Sequence, residues 1–277
     1  IADPDFKGYI HDVGGPTANF RHPSCQKQMT KGVCTNRQCL FPTPCKNLHV
    51  DHRDYLELLR KLRKLPGVKK VFIRSGIRYD YLLADKSEAF LKELCTHHVS
   101  GQLKVAPEHT SDAVLRIMRK PPFRLFHEFK SIFDQINRQA GLRQQIIPYF
   151  ISSHPGCSEE DMAELAVETK SLDFQLEQVQ DFTPTPMTVS TETWYAGVHP
   201  YTGEEVMSAK TQREKLRQRM YFFWYKPEER RPITESLTAM GRRDLLERLY
   251  GKDHGPVISS RTSVKNNKNS DRRKRRK

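Results

Sequence analysis

The chain has 277 residues, of which 36% are hydrophobic and 29% charged, and this length can bury the core of one large α/β domain or of two small ones. Its longest apolar stretches, such as Ile146–Ile151, are far too short to span a bilayer, and no secretory signal opens the chain. We therefore expect a cytoplasmic protein with no membrane partner. The net charge of +14 is concentrated at the C-terminus, since Arg261–Lys277 contains nine Lys or Arg residues and a single acid. The chain starts with Ile1 just before a predicted strand, so we expect that the N-terminal part of a longer protein is missing.

Strands and helices alternate along the first 182 residues. Strands are predicted at Gly8–Val13, Lys69–Arg74, Gln102–Ala106, Gln144–Ser152 and Phe174–Phe182. Apolar residues at helical spacing and capping residues predict helices between Asp51 and Gly67, at Lys86–His97, Ser111–Arg119 and Leu125–Ala140, and after Ser158. Strands that alternate with helices form parallel sheets joined by right-handed crossovers. The sequence thus predicts an α/β fold, either a partial barrel or an open sheet that lacks its leading unit.

The character of the chain changes after Phe182. Trp194–Glu204 is predicted as a loop or hairpin, and helices are predicted at about Ala209–Trp224 and Thr234–Tyr250. The final segment, Arg261–Lys277, has no aromatic residue, and we expect it to be disordered and to bind polyanions such as RNA nonspecifically. Three parts follow: a strand–helix region at 1–205, a C-terminal helical extension at 206–260 and a disordered basic tail at 261–277.

Four of the six cysteines, Cys25, Cys34, Cys39 and Cys45, fall within a loop of 21 residues with the spacing C-x8-C-x4-C-x5-C. Thiolates are soft ligands, and four of them can hold zinc or an iron–sulfur cluster. The spacing lacks the short knuckles of a zinc ribbon, so it predicts a metal without identifying it. A loop of free thiols is the alternative, and a disulfide framework is less expected in a cytoplasmic enzyme.

Polar residues and glycines follow every predicted strand, at the edge where parallel α/β folds place their working residues. In chain order they are Asp12, Gly14 and Gly15; Arg74, Ser75, Gly76 and Arg78; Glu108 and His109; Ser153, His154 and Gly156; and Asp181 and Thr183. Such an edge suits a zwitterionic, nucleoside-like ligand, although loop residues are commonly polar in any case. Glu108 and His109 could form an acid/base pair, or only a helix-entry carboxylate beside a solvated histidine. The sequence has no nucleophile elbow, phosphate loop or dinucleotide-binding turn.

Several segments together resemble the radical S-adenosylmethionine (radical SAM) enzymes, and among these the long bacterial proteins of the YgiQ type. The resemblance runs from Asp5 to about Tyr225, and its most specific stretch is APEHTSDAVLRIMRKP. The other segments are DFKGYIHDVGGPTANF, CQKQMTKGVCTNRQCLFPTPCKNLHVDHRDYLELLRKLR, KKVFIRSGIRYD, YFISSHPGCSEEDM and VQDFTPTPMTVSTETWY. The resemblance implies that residues 1–205 form an incomplete (β/α)6 partial barrel containing strands two to six. In this family a [4Fe–4S] cluster reduces SAM to methionine and a 5′-deoxyadenosyl radical.

The resemblance also implies which residues bind SAM. Gly14 and Gly15 match the glycine-rich turn that meets the SAM amino group. Glu108 and Ser111 lie where polar side chains approach the ribose or the carboxylate. The apolar strand that borders the adenine carries two further residues, Ile147 and Phe150.

A C-x3-C-x2-C loop, which holds the SAM-cleaving cluster in this family, occurs nowhere in the sequence. We therefore expect the chain to be the C-terminal portion of a radical SAM enzyme with an unknown substrate, inactive by itself, whose [4Fe–4S] ligands lie upstream. The four cysteines would then hold a separate, auxiliary iron–sulfur cluster or zinc. Implied partners are SAM and a reductant protein such as flavodoxin or ferredoxin. The alternative is a non-catalytic, metal-dependent nucleic-acid-binding protein that uses the cysteines structurally.

Overall fold

The structure is a computed structural model that describes residues 1–252, apart from residues 16, 36, 86 and 178. The predicted tail at 261–277 and the last residues of the predicted extension lie outside the described residues. The described strands are β1 (Tyr9–Ile10), β2 (Lys70–Val71), β3 (Gln102–Glu108), β4 (Gln145–Ser152) and β5 (Val179–Asp181). All pairings between these strands are parallel, which confirms the prediction.

The strands form two small sheets. β1 pairs with β2, and a second sheet contains β3, β4 and β5 in that order. One bridge between Ile77 and Val105 connects the chain after β2 to β3 and brings the two sheets together. The α/β class is thus confirmed. Within the described residues the strands do not close into a barrel, and the partial barrel stays a prediction.

Helices connect the strands and follow them. Within the described ranges they are α1 (Gln26–Lys31), α2 (Arg53–Arg63), α3 (Tyr79–Leu83), α4 (Ala89–Glu93), α5 (Asp112–Ile117), α6 (Arg124–Gln139), α7 (Glu159–Ser171), α8 (Val189–Ala196), α9 (Gln212–Arg219), α10 (Pro227–Ala239) and α11 (Arg243–Tyr250). The predicted cap of α7 is confirmed, because Ser158 and Asp161 form a reciprocal capping box. No helix in the described part of the chain is both long enough and apolar enough to cross a membrane.

The C-terminal helices differ from the sequence prediction. The segment predicted as a loop or hairpin, Trp194–Glu204, begins inside α8, whose start is capped when the Thr188 side chain accepts from the Thr191 N–H. The rest of that segment is a hairpin, as predicted, since Val198 and Glu205 form an antiparallel bridge. The second predicted helix, Thr234–Tyr250, is two helices. Gly241 separates them with a left-handed φ of 72°, which glycine adopts without strain. Three short helices, α1, α3 and α8, were not predicted.

The two faces of β4 have different environments. Burial alternates along the strand: Phe150 is fully buried, whereas Ile147 and Tyr149 are only partly buried. Phe150 packs against Phe123, with ring centroids 6.4 Å apart, and it belongs to the apolar core that also contains α6. The opposite face is therefore less covered, and we call it the open face.

The predicted helical extension is attached to the ends of β4 and β5. Gln218 on α9 accepts from the Ser153 backbone N–H at 2.7 Å and donates to the Cys157 carbonyl at 2.6 Å. The next residue, Arg219, pairs with Asp181 at 3.1 Å. These bonds fix the loop after β4, because the side chain of Gln218 is buried and leaves Ser153 and Cys157 little freedom to move.

Candidate functional site

A pocket of about 280 Å³ lies at the open face, where β3 and β4 meet the chain after β2. We call it the strand-face pocket. It contains two of the residues implied by the resemblance, Glu108 and Ile147. Its full lining is Thr17, Gly76, Ile77, Arg78, Tyr79, Asp80, Lys104, Val105, Ala106, Glu108, Lys120, Pro121, Ile147 and Tyr149.

Glu108 is the most unusual residue of this pocket. The register of β3 against β4 shifts between Val105 and Glu108, and Glu108 has a φ of 70°, which costs energy for a residue with a side chain. Its Oε1 accepts from Lys120 Nζ at 3.0 Å. Its Oε2 is buried and has no hydrogen-bond partner among the residues that the structure describes. A buried, unpaired carboxylate oxygen is costly unless something donates to it, so Glu108 is suited to accept a hydrogen bond from a ligand.

Tyr149 supplies a second polar group that the sequence analysis missed. Its hydroxyl donates to the Gln180 side chain, and burial together with the Glu108 carboxylate raises its pKa, so it stays a neutral donor. Residues two apart on a strand share a face, so the pairing of Tyr149 with Ile147 could have been predicted from β4 alone. The same rule places Phe150 on the other face, away from the pocket.

Three further residues implied by the resemblance, Ser111, Gly14 and Gly15, do not line the pocket either. Ser111 is the N-cap residue of α5, and its backbone N–H donates to His109 Nδ1 at 3.0 Å. Gly14 is packed closely, since a Cβ there would lie 2.8 Å from Ala18 Cβ and 3.1 Å from Ser75 Cβ. A Cβ on Gly15 would meet no atom within 4 Å. The Gly14–Gly15 turn thus lies against Ser75, and its second glycine leaves its backbone accessible.

Asp12 fixes this turn to the end of β2. Its Oδ1 accepts from the backbone N–H groups of Arg74 at 2.9 Å and Ser75 at 3.2 Å, and its Oδ2 accepts from the Ser75 hydroxyl. Burial raises the pKa of the Asp12 carboxyl, but the hydrogen bonds outweigh this effect and hold the pKa below its usual range. Asp12 is therefore ionised, and its carboxylate holds the turn against the residues that follow β2.

His109 does not form an acid/base pair with Glu108. Its ring is fully buried, and its Nε2 lies 3.4 Å from the sulfur of Cys157. Because Nδ1 accepts from Ser111, the neutral ring carries its proton on Nε2 and donates to the sulfur. His109 therefore cannot accept the proton of that thiol at Nε2, and burial raises the pKa of Cys157. The contact between His109 and Cys157 is thus a structural one.

The four clustered cysteines line a second cavity, of about 550 Å³. We call it the cysteine cavity. All four are free thiols, and their loop is held together by the Cys45 N–H, which donates to the Cys39 carbonyl at 2.7 Å. Burial, followed by the charges of Cys25, Cys45 and Cys34, raises the pKa of Cys39, as expected for thiols close to one another. Among the described residues, no three His, Cys, Asp or Glu side chains are arranged to hold a metal ion.

Comparisons with known proteins give one matching profile and several curated relatives. The profile described as "Domain of unknown function (DUF3362)" matches residues 177–277, starting just before β5. A UPF0313 protein of Bacteroides thetaiotaomicron is 59% identical over 257 residues, which is 90% of this chain and 42% of the relative. UPF0313 proteins of Porphyromonas gingivalis and Clostridium perfringens are each 54% identical, over 90% and 87% of this chain and 40% and 37% of their own lengths. The chain has UPF0313 homologues, and it spans less than half the length of the relatives that it matches.

Proposed function

We propose that this chain is part of a radical SAM iron–sulfur enzyme and that it supplies one wall of the SAM-binding site. The segments resembling the YgiQ type support this, as do the UPF0313 relatives, because the UPF0313 family corresponds to the YgiQ type. The observation that carries the proposal is the buried, unpaired Oε2 of Glu108 in the strand-face pocket.

The polar and apolar groups of SAM match the polar and apolar residues of this pocket. SAM has a charged amino group, ribose hydroxyls and a flat apolar adenine. The Glu108 carboxylate can accept from the amino group or a hydroxyl, and the partly buried side chain of Ile147 offers apolar surface. Ligand pockets typically measure about 300–1,000 Å³, so a pocket of about 280 Å³ can take only part of such a ligand. We propose that other parts of the whole protein complete the site.

The SAM-cleaving cluster of this family does not fit the residues of this chain. It needs three thiolates in a C-x3-C-x2-C loop, and the 277 residues contain no such spacing. We therefore assign no cleavage step to these residues. In the whole protein the cluster would supply the electron that breaks the sulfonium bond, with a reductant protein as the proposed donor.

SAM binding by the 277-residue chain tests this proposal. Isothermal titration should give a dissociation constant near 1 mM, which corresponds to only about 4 kcal/mol, because the cluster that chelates SAM is absent. Glu108→Gln should weaken binding several-fold. The matched control Glu235→Gln, on the exposed side of α10, should bind as the wild type does. Equal affinity for Glu108→Gln and the wild type would overturn the role of Glu108.

Product formation tests the enzyme class separately. The full-length relative from Bacteroides thetaiotaomicron, reconstituted with iron and sulfide without oxygen, should form 5′-deoxyadenosine from SAM when reduced. The 277-residue chain should form none. No product from the reconstituted relative would contradict the enzyme class. Product from the chain alone would contradict the proposal that the ligands of the SAM-cleaving cluster lie outside these residues. It would also make Cys34, Cys39 and Cys45 the candidate cluster ligands.

A further inference from the structure

The cysteine cavity lies apart from the strand-face pocket and shares no lining residue with it. We propose that Cys25, Cys34, Cys39 and Cys45 ligate an iron–sulfur cluster inside this cavity. The inference is independent of the SAM proposal, since it depends on a different loop and its test uses no SAM.

The spread of the thiols favours a cluster over a single zinc ion. Zinc holds each sulfur at about 2.3 Å in a tetrahedron, which places the sulfurs about 3.8 Å from one another. The four thiols line a cavity of about 550 Å³, many times the roughly 30 Å³ that one water occupies in the liquid. A polynuclear cluster binds thiolates at separate corners and fits thiols that surround a volume.

The charge of the lining also suits a cluster. Iron and sulfide bound by four thiolates form an anionic centre. Three lining residues are basic, namely Lys27, Arg37 and Lys46, and among the described lining residues none is Asp or Glu. A hard cation with oxygen ligands would need the opposite lining. The cavity therefore compensates the charge of a thiolate-bound cluster.

Two side chains already donate to the sulfurs. Lys27 Nζ lies 3.5 Å from Cys34 Sγ, and Gln28 Nε2 lies 3.6 Å from Cys39 Sγ. Both donors belong to α1, which begins directly after Cys25. Donors to cluster sulfurs stabilise the more negative, reduced state and raise the reduction potential. The helix α1, which follows Cys25, thus orients Lys27 toward Cys34 and Gln28 toward Cys39.

Assembly requires no oxidant when ferrous and ferric ions are supplied in equal amounts with sulfide. Each thiol releases its proton to solvent, and each sulfur forms one bond to iron. The bound iron then keeps the summed oxidation state of the ions supplied, so electrons balance.

Anaerobic reconstitution of the 277-residue chain tests the proposal. The wild type should hold iron and acid-labile sulfide in equal amounts, with a visible charge-transfer band that dithionite bleaches. The double variant Cys39→Ser with Cys45→Ser should lose most of the iron. The control Cys95→Ala removes a buried free thiol outside the cavity and should keep the wild-type iron content. Circular dichroism of each metal-free variant establishes that it is folded.

Two results would overturn the proposal. One is zinc without sulfide in the wild type. The other is equal iron in the wild type and a folded double variant. A third measurement does not depend on the folding of a cysteine variant: Gln28→Leu should keep the iron content and shift the midpoint potential to a more negative value. An unchanged potential would contradict the placement of the cluster at Cys39.

Discussion

Two buried histidines predict that the fold loses stability between pH 7 and pH 5. His109 is fully buried and His154 is 5% exposed. Burial lowers the pKa of each to about 4, from an ordinary value of 6.5. Burial also lowers the pKa of His52 and His98, so these groups act in the same direction. In this pH window the unfolded chain binds protons that the folded chain excludes.

The sign and size follow from proton linkage. A group that binds more protons in the unfolded state makes stability fall as pH falls. Stability is therefore full above pH 6.5 and decreases until the folded pKa near 4 is reached. At pH 5, which is about 1.5 pH units below 6.5, the stability lost to one such histidine is about 2 kcal/mol. Carboxyl groups with a lowered pKa change their contribution mainly below about pH 4.5. Burial raises the pKa of Glu229, so this group opposes the histidines, and the comparison of a histidine variant with the wild type isolates the histidine.

Urea unfolding at pH 7, 6 and 5 measures this effect. The variant His109→Asn keeps an acceptor for the Ser111 N–H and removes the titrating ring. It should be less stable at pH 7, but its free energy of unfolding should fall by about 2 kcal/mol less between pH 7 and 5. The exposed control His11→Asn should keep the wild-type pH dependence. The same pH dependence in His109→Asn and the wild type would refute the explanation.

Two further predictions concern the glycine turn and the basic tail. Gly14→Ala should destabilise by about 1–3 kcal/mol through overpacking, because the new Cβ would lie 2.8 Å from the Ala18 Cβ; an unchanged melting temperature would contradict this packing. Gly15→Val should leave the melting temperature nearly unchanged, since a Cβ there meets no described atom within 4 Å. The same variant should weaken SAM binding, because its side chain would stand between the ligand and the backbone. Unaltered SAM affinity would show that the ligand does not approach this turn. Deleting 261–277 should abolish salt-sensitive RNA binding, because its nine basic residues can neutralise phosphates, and should leave the melting temperature nearly unchanged. Retained binding in a filter assay, or a large loss of stability, would contradict this prediction.

The sequence predicts the alternation of strands and helices and the parallel α/β class because apolar strands and capped helices leave strong local patterns. It does not predict α3, at Tyr79–Leu83, since five residues are too few for a helical period. The division of the last predicted helix at Gly241 was also missed. A glycine is tolerated inside many helices, and the spacing of Leu237 and Leu245 continues across the break.

Site residues are harder to predict because a family motif gives positions along the chain and not the direction of side chains. The resemblance implies that Ile147 and Phe150 both border the adenine. The pleat of β4 separates the two, placing Ile147 and Tyr149 at the open face and Phe150 in the core. The contribution of Lys120 to the pocket depends on its distance from Glu108, which lies 12 residues earlier, and no local pattern indicates that contact.

Strain at two neighbouring strand ends connects the helical extension to the candidate site. Glu108 is the last residue of β3 and has a φ of 70°, and Ser153 follows β4 with a φ of 61°. Each also has a buried side-chain oxygen that makes no hydrogen bond to the described residues. Such conformations cost about 1–3 kcal/mol each and persist only when surrounding contacts enforce them. For Ser153 the enforcing contact is Gln218 of α9. The extension therefore maintains the strained end of β4, the strand whose Ile147 and Tyr149 line the strand-face pocket. A change in α9 should therefore alter the position of β4, and with it the pocket, without contacting the ligand.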